Sequence, residues 1–210
     1  MTPSVSLPIL VHCDDALLVA DKPAGLLAVP GRGADKQDCL SARLLETFPD
    51  ALVVHRLDMA TSGLMLFARG MAMQRHLSQM FRERAVEKRY IAIVSGKVEA
   101  AEGEIGLPLG ADWPNRPKQK VDTASGKPSL TRYRLLGYDD ATDTSRLELE
   151  PVTGRTHQLR VHLAAIGHPI LGDALYGGRP AARLMLHACM LRFIHPHSGT
   201  ALSLHSETPF

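Results

Sequence analysis

The run Gly63-Leu64-Met65-Leu66-Phe67-Ala68 is apolar throughout and is entered from the turn residues Thr61-Ser62-Gly63. A short apolar run bounded by turn residues reads as a buried strand. Further strands are predicted at residues 9–12 and 16–20, joined by Cys13-Asp14-Asp15, and at 89–94, 127–138, 145–152 and 184–194, with one more in the tail. Between them lie three helical patterns. Residues 38–47 carry Leu40, Leu44 and Leu45, with Asp38 placed to cap the start. Met73, Leu77, Met80 and Phe81 form a helical stripe that packs on a core. Residues 156–166 put Leu159, Leu163 and Ile166 on one stripe, with Gly167 in the C′ position ahead of Pro169. Strands and helices alternate without a βαβ rhythm. The fold class expected is therefore α+β, a mainly antiparallel, twisted mixed sheet flanked by helices.

The same apolar strand follows Val54-His55-Arg56-Leu57-Asp58, so a histidine, an arginine and a carboxylate sit in a loop between two strand-like pieces. A rigid scaffold can aim a carboxylate held this way. An Asp before Thr-Ser-Gly also serves simply to satisfy backbone N–H groups in a turn. Both readings stand on the loop alone.

Other residues stand out. Tyr90 near the start of a strand reads by itself as a core tyrosine. Arg160, in the third helical pattern, reads by itself as an ordinary surface arginine on a helix. Trp113 lies among Pro114, Asn115, Arg116, Pro117, Lys118 and Lys120. It is either a buried anchor for a loop or an exposed ring that stacks on bases while its neighbours hold phosphates. Leu186 is a core leucine or part of an apolar pocket.

Composition limits the partners. Lys and Arg number 24 against 22 Asp and Glu, a net charge of +2, too mild to indicate a nucleic-acid binder by itself. Clustering is more telling: Arg82, Arg84, Lys88 and Arg89 fall together, as do Arg116, Lys118 and Lys120, although a charge run is more often a solvated face. Cys13, Cys39 and Cys189 are scattered and lack Cys-x-x-Cys spacing, which argues against a disulfide framework or structural zinc. The N-terminus lacks a basic segment before an apolar core, and no apolar run nears the ~18 residues of a membrane span. A soluble cytoplasmic protein with no membrane partner is expected.

The motifs together resemble those of the RluA-type RNA pseudouridine synthases. His55-Arg56-Leu57-Asp58 with Thr61-Ser62-Gly63 is similar to the family signature, and Asp21-Lys22-Pro23-Ala24-Gly25 to its early Lys-Pro turn. Lys88-Arg89-Tyr90-Ile91-Ala92 resembles the tyrosine motif, and Gly154-Arg155-Thr156-His157-Gln158-Leu159-Arg160 through Gly172-Asp173 the arginine motif. Leu186-His187-Ala188 resembles the last one. Met59-Ala60 and the segment 112–120 are closest to the small dual-specificity members that act on 23S rRNA and a tRNA anticodon arm. The resemblance implies an isomerase acting on specific uridines in structured RNA.

It further implies Asp58 as the catalytic carboxylate, Arg160 as its partner, Tyr90 against the target base, Arg56 filling the gap left by a flipped uridine, and Leu186 lining the uracil pocket. Trp113, Arg116, Lys118, Lys120, Arg82 and Arg84 are the candidate RNA contacts. No cofactor, no metal and no DNA are expected, and the working form expected is a monomer. Residues 1–210 are expected to form one catalytic domain, with no separate RNA-binding module because too little chain precedes Ile9.

Two other classes compete. A metal-dependent hydrolase is suggested by ten histidines, including His157 and His162. That pair is five apart, however, and converges neither on a helix nor on a strand, so packing or capping is the better reading. A non-catalytic RNA-binding or ribosome-assembly module explains the basic clusters but gives Asp58 no task.

Overall fold

The structure, a computed structural model, describes residues 8–210. In chain order the first elements are β1 (Ile9–Cys13), β2 (Leu17–Lys22), α1 (Leu40–Leu45), β3 (Ala51–Val53), β4 (Ser62–Arg69) and α2 (Gly70–Arg82). Then come β5 (Glu87–Ser95), β6 (Glu102–Ile105), β7 (Leu109–Ala111), β8 (Gln119–Val121), β9 (Thr131–Asp139), β10 (Thr144–Pro151) and α3 (Gln158–Ala165). β11 (Leu186–Ile194) and β12 (Ala201–His205) complete the set. The α+β class expected from the sequence holds. The chain divides into two compact units, one built from residues up to Glu87 plus Ala188–Thr208, the other from Lys88–His187 plus Pro209–Phe210. No helix of the described residues is long and apolar enough to cross a membrane.

The first unit is a sheet in the order β1-β2-β4-β11, with β3 on β4 and β12 on β11. β2 and β4 are buried on both faces, which is why their sequence is apolar without alternation. The period of two still sorts them. Leu17, Val19, Leu64 and Leu66 pack with Met73, Leu77 and Met80 of α2, whereas Leu18, Ala20, Met65 and Phe67 pack with Leu40 and Leu44 of α1. The α2 stripe is as expected, with Phe81 partly buried at its end. At α1 the expectation needs correction. Cys39, not Asp38, caps the helix, its Sγ accepting the Ala42 N–H, while Asp38 makes a fork to Arg43 at 2.7 and 2.8 Å.

The second unit is an antiparallel sheet in the order β5-β10-β9-β6 with a separate two-stranded ribbon, β7-β8. The strand expected from residue 127 starts at Thr131, because Lys127 exchanges backbone hydrogen bonds with Leu109 of the ribbon. Strands β6, β7 and β8 are not expected from the sequence, and β3 only as the strand-like piece ahead of the Asp58 loop; all four are three or four residues long, too short for a periodic signal.

Helix α3 departs from its expected stripe. Gln158, Leu159, Arg160, Val161, His162 and Leu163 are all buried, and Ile166 is 37% exposed. Burial all round is tolerated because each polar residue is hydrogen-bonded. Gln158 donates to the Leu130 carbonyl and the Thr131 hydroxyl, and accepts from Thr153 Oγ1. His162 Nε2 donates to the Leu107 carbonyl at 2.9 Å, which leaves Nδ1 to accept from Thr131 Oγ1 at 2.9 Å. Gly167, at φ +86°, ends the helix as expected.

His162 makes stability pH-dependent in a definite direction. Burial pushes its imidazole below the ordinary 6.5, against the opposing pull of the Leu107 carbonyl. The folded form therefore binds fewer protons than the unfolded chain just below that value. The His162 contribution is intact above about pH 6.5 and is lost as pH falls below it. Urea unfolding should show wild type losing stability between pH 7.5 and pH 5, with a flatter dependence in His162→Gln. An equal slope in the two proteins would assign the acid sensitivity to other groups.

Candidate functional site

In the first unit the loop from residue 54 to 61 is pinned at both ends. At its entrance His55 Nε2 accepts the Leu66 N–H of β4 at 2.9 Å, and the His55 ring stacks on Phe81 at 4.6 Å. At its exit the Met59 carbonyl accepts two hydrogen bonds, from the Gly25 N–H at 2.9 Å and from Lys22 Nζ at 3.0 Å. The Thr61 N–H closes the turn on the Asp58 carbonyl at 3.1 Å. Asp58 is half-buried between these anchors, and Arg56 is exposed.

Glycine is required just beyond the loop. Gly63 has φ +112°, and a Cβ there would lie 2.3 Å from the Ala188 carbonyl oxygen. The Thr-Ser-Gly turn is thus a point of close backbone approach as well as a local signal.

Lys22 is the residue that reasoning from sequence missed. It is 0% exposed, and its ammonium donates to three carbonyls: Pro23 at 2.9 Å, Leu26 at 2.8 Å and Met59 at 3.0 Å. A lysine pays for burial only if its donors are used. Here they join the Lys-Pro turn to the Asp58 loop. The only local sign was a lysine between a strand end and a Pro-Ala-Gly turn. Lys22→Met, which keeps the volume but leaves buried acceptors without their donor, is expected to lower stability by roughly 3 kcal/mol. Denaturant titration measures this; a loss below about 1 kcal/mol would mean that water or a shifted backbone replaces the ammonium.

In the second unit Arg160 is 5% exposed and forms a two-bond fork with Asp173, Nε to Oδ2 at 2.7 Å and Nη2 to Oδ1 at 2.8 Å. Asp173 is 1% exposed and also accepts the N–H groups of Leu175 and Tyr176. Arg160 is therefore no surface arginine. Its partnership with Asp173 was not foreseen, although Gly172-Asp173 stood in the motif. Tyr90 on β5 is 9% exposed and Leu186 is 3% exposed. Of the histidines proposed for packing or capping, His162 is buried in its network, whereas His157, at φ +53°, occupies the N-cap position of α3 without a side-chain cap bond, its Nδ1 lying 2.6 Å from the Tyr176 hydroxyl.

The basic candidates fall into two groups. Arg82 and Arg84 are exposed at the end of α2 in the first unit, Arg84 with φ +61°. Arg116, Lys118 and Lys120 lie on the β7-β8 ribbon of the second unit with Trp113, which is 67% exposed. The Arg116 guanidinium lies 3.5 Å from the centre of the Trp113 ring. Of the two readings of Trp113, the exposed ring among cations is the one observed.

A family model described as RNA pseudouridylate synthase matches residues 16–165. The dual-specificity RNA pseudouridine synthase RluA of Escherichia coli (strain K12) is 47% identical over 206 residues, 96% of this chain and 94% of that protein. The protein of the same name from Vibrio cholerae is 50% identical over 193 residues, covering 90% of this chain and 78% of its own length. Among solved structures, human RNA Pseudouridylate Synthase Domain Containing 1 superposes with a TM-score of 0.81 at 32% identity, covering 100% of this chain and 87% of that one. Human RNA Pseudouridylate Synthase Domain Containing 4 gives 0.75 at 26% identity, covering 96% and 88%.

Proposed function

The chain belongs to the RNA pseudouridylate synthase family and is an isomerase converting uridine in RNA to pseudouridine, and we propose that it acts on both 23S rRNA and a tRNA anticodon stem-loop. The observation that carries the choice of substrates is 47% identity to a dual-specificity relative across 96% of the chain. Mapping pseudouridines in RNA from cells lacking the protein tests it. Loss of sites from both RNA classes supports dual specificity, and loss from one alone overturns it.

The reaction breaks the N1–C1′ bond of a uridine and rejoins the base through C5. No water is consumed, so one carboxylate suffices where a glycosidase needs two. In this reading Asp58 is that carboxylate, supported by a loop anchored at His55 and at Met59. Arg160 is its cationic partner, and the Asp173 fork fixes the plane of the guanidinium. Tyr90 lies against the target base and Leu186 lines its pocket. Arg56, exposed on the loop, fills the space left by the flipped uridine and so offsets part of the unstacking cost. In the same reading residues 1–210 serve as one catalytic domain, working as a monomer in the cytoplasm without a cofactor or metal.

RNA affinity in this reading comes from local basic surfaces, since the net charge is only +2. Arg82 and Arg84 supply one, and Arg116, Lys118 and Lys120 the other. Each phosphate neutralised contributes about 0.7 to the slope of log affinity against log salt on single strands, more on duplex. Removing Lys118 and Lys120 together should weaken binding to every RNA and flatten that slope by roughly 1 to 2 units. Salt titrations on two stem-loops measure it. An unchanged slope would make the ribbon lysines a solvated face.

A further inference from the structure

We propose that Tyr176 is a positioning residue that locks the Trp113-bearing ribbon to the helix carrying Arg160, and through that lock sets which RNA loops are accepted. The proposal rests on the reading of the ribbon as an RNA-contacting surface. All the groups concerned lie in the second unit.

The hydroxyl of Tyr176 stands between two elements. It accepts the Gln119 N–H of β8 at 2.8 Å and lies 2.6 Å from His157 Nδ1 at the start of α3. A backbone N–H can only donate, so the hydroxyl is the acceptor toward Gln119, and the His157 tautomer sets which partner donates in the second bond. Below the hydroxyl, the same ring lies 5.1 Å from the Arg160 guanidinium carbon. The Tyr176 N–H is held by Asp173, the carboxylate that forks Arg160. One side chain thus touches the ribbon with its polar tip and the arginine with its face.

The rest of the ribbon is braced in a way that leaves Tyr176 this task. Its tip is closed on itself by Asp112 N–H to Lys118 O and Lys118 N–H to Asn115 O, each 3.0 Å. Its base is fixed by the paired Leu109–Lys127 bonds and by His162 on the Leu107 carbonyl. Strand β8, which leads from the tip back to the core, is tied to the loop after α3 through Gln119 and Tyr176. His157 holds φ +53°, a conformation a histidine adopts at a cost, and that turn aims its Nδ1 at the tyrosine. A ribbon that is already ordered loses less freedom when Trp113 stacks on a base, so its tether appears in affinity and in loop choice.

Tyr176→Phe separates the two contacts, because it deletes the hydroxyl and keeps the ring beside Arg160. Trp113 is the only tryptophan in the chain, so its fluorescence reports on the ribbon directly. Time-resolved anisotropy without RNA should show faster local depolarisation in Tyr176→Phe than in wild type. An unchanged decay in a folded variant overturns the proposal, whatever the substrate proves to be. With RNA, KM for a stem-loop should rise about 3- to 10-fold, the scale of one neutral hydrogen bond, with kcat falling less than KM rises. The double variant with Trp113→Ala should have the KM of Trp113→Ala alone. Additive losses would show that Tyr176 acts elsewhere and overturn the lock. If wild type isomerises no stem-loop, the reading of function fails while the anisotropy result still decides the tether.

Discussion

Asp58→Asn is expected to lower isomerisation of an RNA stem-loop by at least ~10⁴-fold, the scale of losing an essential catalytic group, with RNA affinity and thermal unfolding close to wild type. The substitution keeps the shape of the side chain and removes its charge and nucleophilicity. The fold should be largely spared because the loop is also held by the Leu66 N–H on His55, and by the Gly25 N–H and Lys22 ammonium on the Met59 carbonyl. Single-turnover assays with labelled uridine, together with filter binding, separate turnover from affinity. Activity within tenfold of wild type would remove Asp58 from the chemistry, and a collapse of stability would make it a turn residue.

Asp173→Ala is expected to lose about 3–5 kcal/mol of stability, the scale of breaking one side of a buried ion pair. Arg160 would keep its charge at 5% exposure without the carboxylate that engages Nε and Nη2. The Leu175 and Tyr176 N–H groups would lose their acceptor as well. Domains are commonly stable by only about 5–15 kcal/mol, so such a loss removes a large fraction of the total. Arg160→Lys should be milder yet still damaging, because an ammonium cannot make two parallel bonds to one carboxylate. Urea titration monitored by circular dichroism measures both. A loss below about 1 kcal/mol for Asp173→Ala would mean that the guanidinium reaches water or another acceptor.

Much of the fold was legible because long periodic or uniformly apolar segments carry their own signal. The 63–68 run, the Met73–Leu77–Met80 stripe and Gly167 after α3 all translate directly into β4, α2 and a helix stop. The failures are local competitions. Cys39 displaced Asp38 as a cap because Arg43 offered that carboxylate a fork. Helix α3 lost its stripe because Gln158, Arg160 and His162 each found a buried partner.

The motif order from Lys22 to His187 was enough by itself to name the family and to single out the loop of Asp58. A motif is a set of residue types at fixed spacing, which is what a sequence records. Only the tertiary structure decided that Lys22 is buried and ties down a carbonyl 37 residues away, that Arg160 pairs with Asp173, and that Tyr176 reaches from the loop after α3 to the ribbon. Those contacts depend on which strand lies beside which and on which donors lose their water. Hydrogen bonds between segments distant in the chain leave no periodicity for a sequence to show.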